Sequence, residues 1–114
     1  MITRDARTYL KDQLKTGIGY KVGSGGDTTN PNATDLDDPI DTSYQTTLTV
    51  NESGESALDY NITIYGSNYL GHTIKEIGIY ITASNTLICR VNYDGIGPLT
   101  STDEVQFIIT LEVD

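Results

Sequence analysis

Apolar and polar residues alternate with a period of two over most of this chain, which predicts strands with one buried face. The clearest case is residues 72–93. Ile77, Ile79 and Ile81 point one way, and Glu76, Gly78 and Tyr80 point the other. After the polar turn Ala83-Ser-Asn-Thr86, Leu87, Cys89, Val91 and Tyr93 share a face, opposite Ile88, Arg90 and Asn92. The pattern predicts a β-hairpin, with Asn85 supplying the positive φ that a tight turn requires. Further strands are predicted at 18–22, at 44–50 with Tyr44, Leu48 and Val50 on one side, and at 58–65. The last runs over 105–113, with Val105, Phe107, Ile109, Leu111 and Val113 inward. Only residues 3–16 follow the helical period. Ile2, Ala6, Tyr9, Leu10 and Leu14 fall in one arc, Arg4, Arg7, Lys11 and Lys15 on the other side. Thr3 suits the N-cap, and Gly17 and Gly19 the stop.

These elements predict an all-β fold: an antiparallel β-sandwich of about six strands with one N-terminal amphipathic helix. A single domain is expected, with a docking helix over 1–17 and the sandwich over 18–114. Residues 23–43 read as a long polar loop rich in turn formers, with Leu36 and Ile40 as the residues that pin it to the body.

Charge sharpens this picture. The net charge is −9. Residues 1–21 hold five cations against two acids, net +3; the remainder holds two cations against 14 acids, net −12. An acidic body disfavours nucleic acid, whose binding rests on phosphate neutralisation. It suits a basic protein partner, including the basic end of another copy. No apolar run of 18 residues is present and the first residues lack a signal-like apolar core, so neither a membrane span nor secretion is expected. The one cysteine, Cys89, reads as a small buried hydrophobe.

Candidate chemistry is sparse. Asp35, Asp37, Asp38 and Asp41 crowd one loop, but the Gly and distal Glu of an EF-hand are missing, so no metal is expected. Gly23-Ser-Gly-Gly26 lacks the Gly-Lys-Ser/Thr of a phosphate loop. His72 stands alone and no serine sits in a nucleophile elbow. No catalysis and no cofactor are expected. Of eight tyrosines, Tyr60 and Tyr93 fall on buried faces, whereas Tyr65, Tyr69 and Tyr80 are expected on the surface, where tyrosine often serves recognition. The residues expected to bind partners are therefore Arg4, Arg7, Lys11, Lys15, Tyr65 and Tyr80.

Two segments carry a family resemblance. Glu76-Ile-Gly-Ile-Tyr80, a turn, then Thr86-Leu-Ile-Cys-Arg90 resembles the hairpin of phage tail-collar fibre and related tail-fibre proteins, with Asn85 where a turn glycine is usual. Gly23-Ser-Gly-Gly-Asp-Thr-Thr29 followed by Asn32-Ala-Thr-Asp-Leu36 is similar to a glycine-rich segment of the same group. The resemblance implies a virion structural protein without enzymatic activity: a tail, baseplate, collar or fibre-base subunit. It would assemble with copies of itself, as a trimer or other ring, and with other virion proteins. The short stretch after the last strand favours a small adaptor or decoration subunit. The alternatives are a capsid decoration, turret or head-fibre protein, and a receptor- or glycan-binding module.

Overall fold

A computed structural model of the chain describes residues 2–26 and 32–113. Helix α1 (Arg4–Gln13) is followed by six strands: β1 (Ile18–Gly23), β2 (Leu48–Glu52), β3 (Ala57–Tyr65), β4 (Ile74–Ile81), β5 (Thr86–Ile96) and β6 (Glu104–Glu112). A single 3₁₀ turn, Gly66–Asn68, leaves β3. The strands form two antiparallel sheets in the orders β1-β4-β5 and β2-β3-β6. The predicted small β-sandwich with one short N-terminal helix is the fold observed.

The inward faces meet in one core. Ile18, Tyr20, Val22, Ile77 and Ile79 come from the first sheet, and Leu58, Tyr60, Ile62, Ile64, Phe107 and Ile109 from the second. Burial of branched aliphatic side chains at every second position is the main stabilising term, at about 1.5–3 kcal/mol for each fully buried side chain. Tyr93 closes one side of the core, its ring 5.1 Å from that of Phe107. Cys89 sits at the margin of the same core, and burial pushes its thiol up to about 11.

Two local readings are corrected. Residues 44–47 do not extend β2. Tyr20 and Gln45 instead exchange backbone hydrogen bonds of 2.8 and 2.9 Å at the edge of the first sheet. The Tyr44 ring stacks tilted on Tyr80, 5.2 Å away. The chain changes sheets between Gln45 and Leu48, so Tyr44 does not share a face with Leu48 and Val50. In the hairpin, Ile79 pairs with Cys89 but Tyr80 pairs with Leu87, so the register shifts by one residue at Ile88. That bulge turns Leu87 to the outer face, away from Cys89 and Val91. Asn85 does take the expected positive φ, 53°.

Helix α1 has the predicted start, with the Thr3 hydroxyl accepting from the Ala6 amide at 3.2 Å. Lys11 and Lys15, expected to face partners, turn instead to the body. Lys11 is buried and Arg7, Leu14 and Lys15 are half-buried, whereas Ile2, Tyr9 and Leu10 are exposed. The basic side faces the body because Glu52, at the end of β2, offers one carboxylate oxygen to both Lys11 (3.1 Å) and Lys15 (3.5 Å). The Tyr60 hydroxyl adds a bond of 2.8 Å to the Leu14 carbonyl.

Candidate functional site

The densest polar constellation lies on the outer face of the first sheet, where residues 24–26 and 32–43 lie across it as a strap. Alternation places Glu76, Gly78 and Tyr80 of β4 on that face, as predicted. They do not meet solvent: Glu76 and Tyr80 are both 0 % exposed. Each holds a different part of the strap. The Glu76 carboxylate accepts backbone N–H bonds from Gly25 (2.7 Å), Asp37 (2.9 Å) and Asp38 (2.8 Å), drawing both limbs of the strap onto one side chain. A charge out of water persists where such donors replace its hydration. Gly25 has to be glycine here, because a Cβ would stand 2.4 Å from the same carboxylate. At Gly78 the missing side chain leaves room for buried Leu36, whose Cδ2 would lie 3.0 Å from a Cβ. The Tyr80 hydroxyl donates to Asp35 at 2.6 Å.

Charged groups close the margins. Lys21 Nζ lies 5.1 and 5.2 Å from the ring centres of Tyr44 and Tyr80, and 3.9 Å from Asp35. Arg90 on β5 reaches Asp37 at 3.1 Å. Asp41 forms a second clamp, accepting from the Val22 amide (2.8 Å), the Tyr69 hydroxyl (2.9 and 3.0 Å) and Gln45 (3.3 Å). The four aspartates of the loop thus serve separate contacts. Among the described residues no three His, Cys, Asp or Glu side chains gather as a cation site. Asp27, Thr28 and Thr29 of the glycine-rich segment lie outside the described residues.

Protonation follows from these contacts. Burial raises the Asp35 carboxyl, but the Tyr80 hydroxyl, the Leu36 amide and Lys21 outweigh it and hold the group below its usual value. Burial first, then the facing carboxylates of Asp35 and Asp41, raise Tyr80 and Tyr69 well above 10.0. A group that binds its proton more tightly when folded stabilises the fold below its unfolded pKa and loses that effect as pH climbs through the folded one. Tyr69 and Tyr80 are therefore expected to stay protonated in the folded chain above pH 10. An ultraviolet titration of tyrosinate should show both among the late-ionising groups, with Tyr20, Tyr60 and Tyr93, which burial also raises. Early ionisation of all eight would contradict both clamps.

Of the residues expected to bind partners, Tyr65 is exposed and Arg4 extends from the first turn of α1. Tyr80 is buried under the strap, as is Tyr69 beneath its contact with Asp41, so the expected exposure of both is corrected. Lys11 and Lys15 are paired within the chain, and Arg7 lies half-buried. The large apolar residues Ile2, just before α1, and Tyr9 and Leu10 on it are exposed, beside polar Arg4, Asp5, Thr8, Asp12 and Gln13. Tyr9, at 62 % exposure, is a surface aromatic the sequence reading placed inward. Among the described residues no helix is long and apolar enough to cross a membrane.

The two segments that carry the family resemblance form one unit. Residues of the glycine-rich stretch, Gly25 and Leu36, meet Glu76 and Gly78 of the hairpin motif. Compared with models of known protein families and with curated proteins, the chain matches none.

Proposed function

We propose that the chain is a structural subunit of a tailed-virus particle, in the tail, baseplate, collar or fibre base, acting by assembly and making or breaking no bond. The observation that carries this reading is the clamp of Glu76 on Gly25, Asp37 and Asp38. It gives a physical reason for the two resembling segments to occur together, since Glu76 of the hairpin is the acceptor that holds the glycine-rich segment against the sheet. The outward stripe of α1 supports the docking part of the proposal. A helix bound to its own domain through ion pairs, with Ile2, Tyr9 and Leu10 left outside, presents what a neighbouring subunit can bury.

On this reading the sandwich with its strap is the rigid body and α1 the docking element. The partners are copies of the chain, in a trimer or other ring, and other virion proteins. Tailed particles purified from the source lysate should hold the chain at a fixed copy number in a symmetric ring, measured by mass spectrometry and particle imaging. Its absence from purified particles would end the proposal. Removing residues 1–13 should leave the β fold intact by circular dichroism, because α1 supplies little to the apolar core, and should exclude the chain from particles. Normal incorporation of the shortened chain would show that α1 is not the docking element.

A further inference from the structure

A sheet edge carries unpaired backbone donors and acceptors, and stable monomers blunt such edges with short strands, bulges, prolines or charge. The sandwich has four edges. That of β1 is occupied by Gln45 and Pro39, with the Ile40 amide bonded to the Val22 carbonyl at 2.8 Å. β2 is only five residues long. β5 departs from the register of β4 at two places. The fourth edge lacks these devices. β6 runs nine residues in unbroken register with β3, from Glu104 opposite Tyr65 to Glu112 opposite Ala57. It contains no Pro, Lys or Arg, and its only charges are the two terminal glutamates. Its middle residue, Ile108, points outward at 62 % exposure between buried Phe107 and Ile109. Among the described residues no strand pairs with the far side of β6.

We infer that β6 is an interface between two copies of this chain, paired antiparallel about a two-fold axis so that β2-β3-β6 continues into a six-stranded sheet. The strand is matched to itself. Read from either end it presents Glu, a polar residue, Ile108, a polar residue and Glu on the outer face, with apolar residues at all four inner positions. Pairing centred on Ile108 sets that residue against its own counterpart and Gln106 against the counterpart of Thr110. The two apolar cores then meet edge to edge. Such self-complementarity is what an isologous contact requires. The opposed charges are Glu104 and the counterpart of Glu112, at the solvated ends.

The strand's match to itself favours a second copy, and the opposed glutamates give the means to tell that copy from another occupant. A basic strand from a different protein would be attracted by Glu104 and Glu112, whereas a second copy is repelled by them. The inference deepens the assembly reading and rests on it, the two-fold pair joining copies that a second, different contact would close into a ring. Sedimentation equilibrium of the full chain should show a dimer that Ile108→Lys weakens at least tenfold. The double variant Glu104→Gln/Glu112→Gln should tighten it by roughly 2–5-fold for each relieved pair, as should added salt. Ile108 is on the solvent side, so both variants should keep the wild-type circular dichroism. A chain monomeric at all concentrations overturns the inference, as does a dimer that the glutamine variants weaken. Copies that associate equally well after Ile108→Lys sink the edge pairing and leave the virion reading standing. Absence from particles sinks that reading, and a dimer with this charge signature survives it.

Discussion

Replacing Glu76 by alanine is expected to release the strap. Three backbone amides lose their acceptor at once, and each orphaned buried donor costs about 1–3 kcal/mol. Water can reach Asp37 and Asp38, which are exposed residues, so the sum is smaller than three full penalties. A destabilisation of about 2–4 kcal/mol follows, lowering Tm by on the order of 10–20 °C. The apolar core beneath remains whole, so the far-ultraviolet signal of the sheets should persist at moderate temperature. Release should appear as rapid hydrogen exchange at Gly25, Asp37 and Asp38 and as proteolytic cleavage within 32–43. Glutamine should not rescue, because its amide would turn donors toward donors at one of the two oxygen positions. An alanine variant with wild-type exchange at those three amides would show that the clamp does not hold the strap.

The second large effect is expected at Asp41. Its carboxylate holds the Val22 amide at the edge of β1 and the hydroxyl of buried Tyr69, joining strap, sheet and the turn after β3. Asp41→Ala should cost about 2–4 kcal/mol by leaving both donors unpaired. Tyr69→Phe alone should cost about 0.5–1.5 kcal/mol, the net value of one hydrogen bond. In the Asp41→Ala background the same substitution should cost nothing or stabilise, since it removes an orphaned hydroxyl. Denaturant unfolding of the four chains in a double-mutant cycle measures this coupling. Additive losses would mean that the two groups act separately.

The β elements were legible because alternation is a local property. Ile77 and Ile79 inward and Glu76, Gly78 and Tyr80 outward follow from spacing alone. Alternation says which face a residue takes and nothing about what covers that face. Tyr80 was therefore read as surface, and the strap above it became visible only in three dimensions. A hint was available: Glu, Gly and Tyr at successive outward positions combine an acceptor, a gap and a hydroxyl, an arrangement suited to holding backbone. Leu36 and Ile40 were the right pins, as the only large apolar residues in a polar stretch. Leu87 falls on the other face because the one-residue bulge at Ile88 separates it from Cys89 and Val91, and bulges leave little trace in composition. The helix failed for a different reason. Its period separates two sides correctly, but the choice of which side meets the body fell to one distant residue, Glu52.

The helix divides labour among side chains. Lys11, Lys15 and Leu14 fasten α1, while Ile2, Tyr9 and Leu10 are exposed and stand outside the apolar core. Mutations along that stripe can accumulate without unfolding the molecule. On the assembly reading proposed above, a lineage carrying this chain would be free to exchange one mate for another by altering a few exposed letters, leaving the architecture beneath them undisturbed.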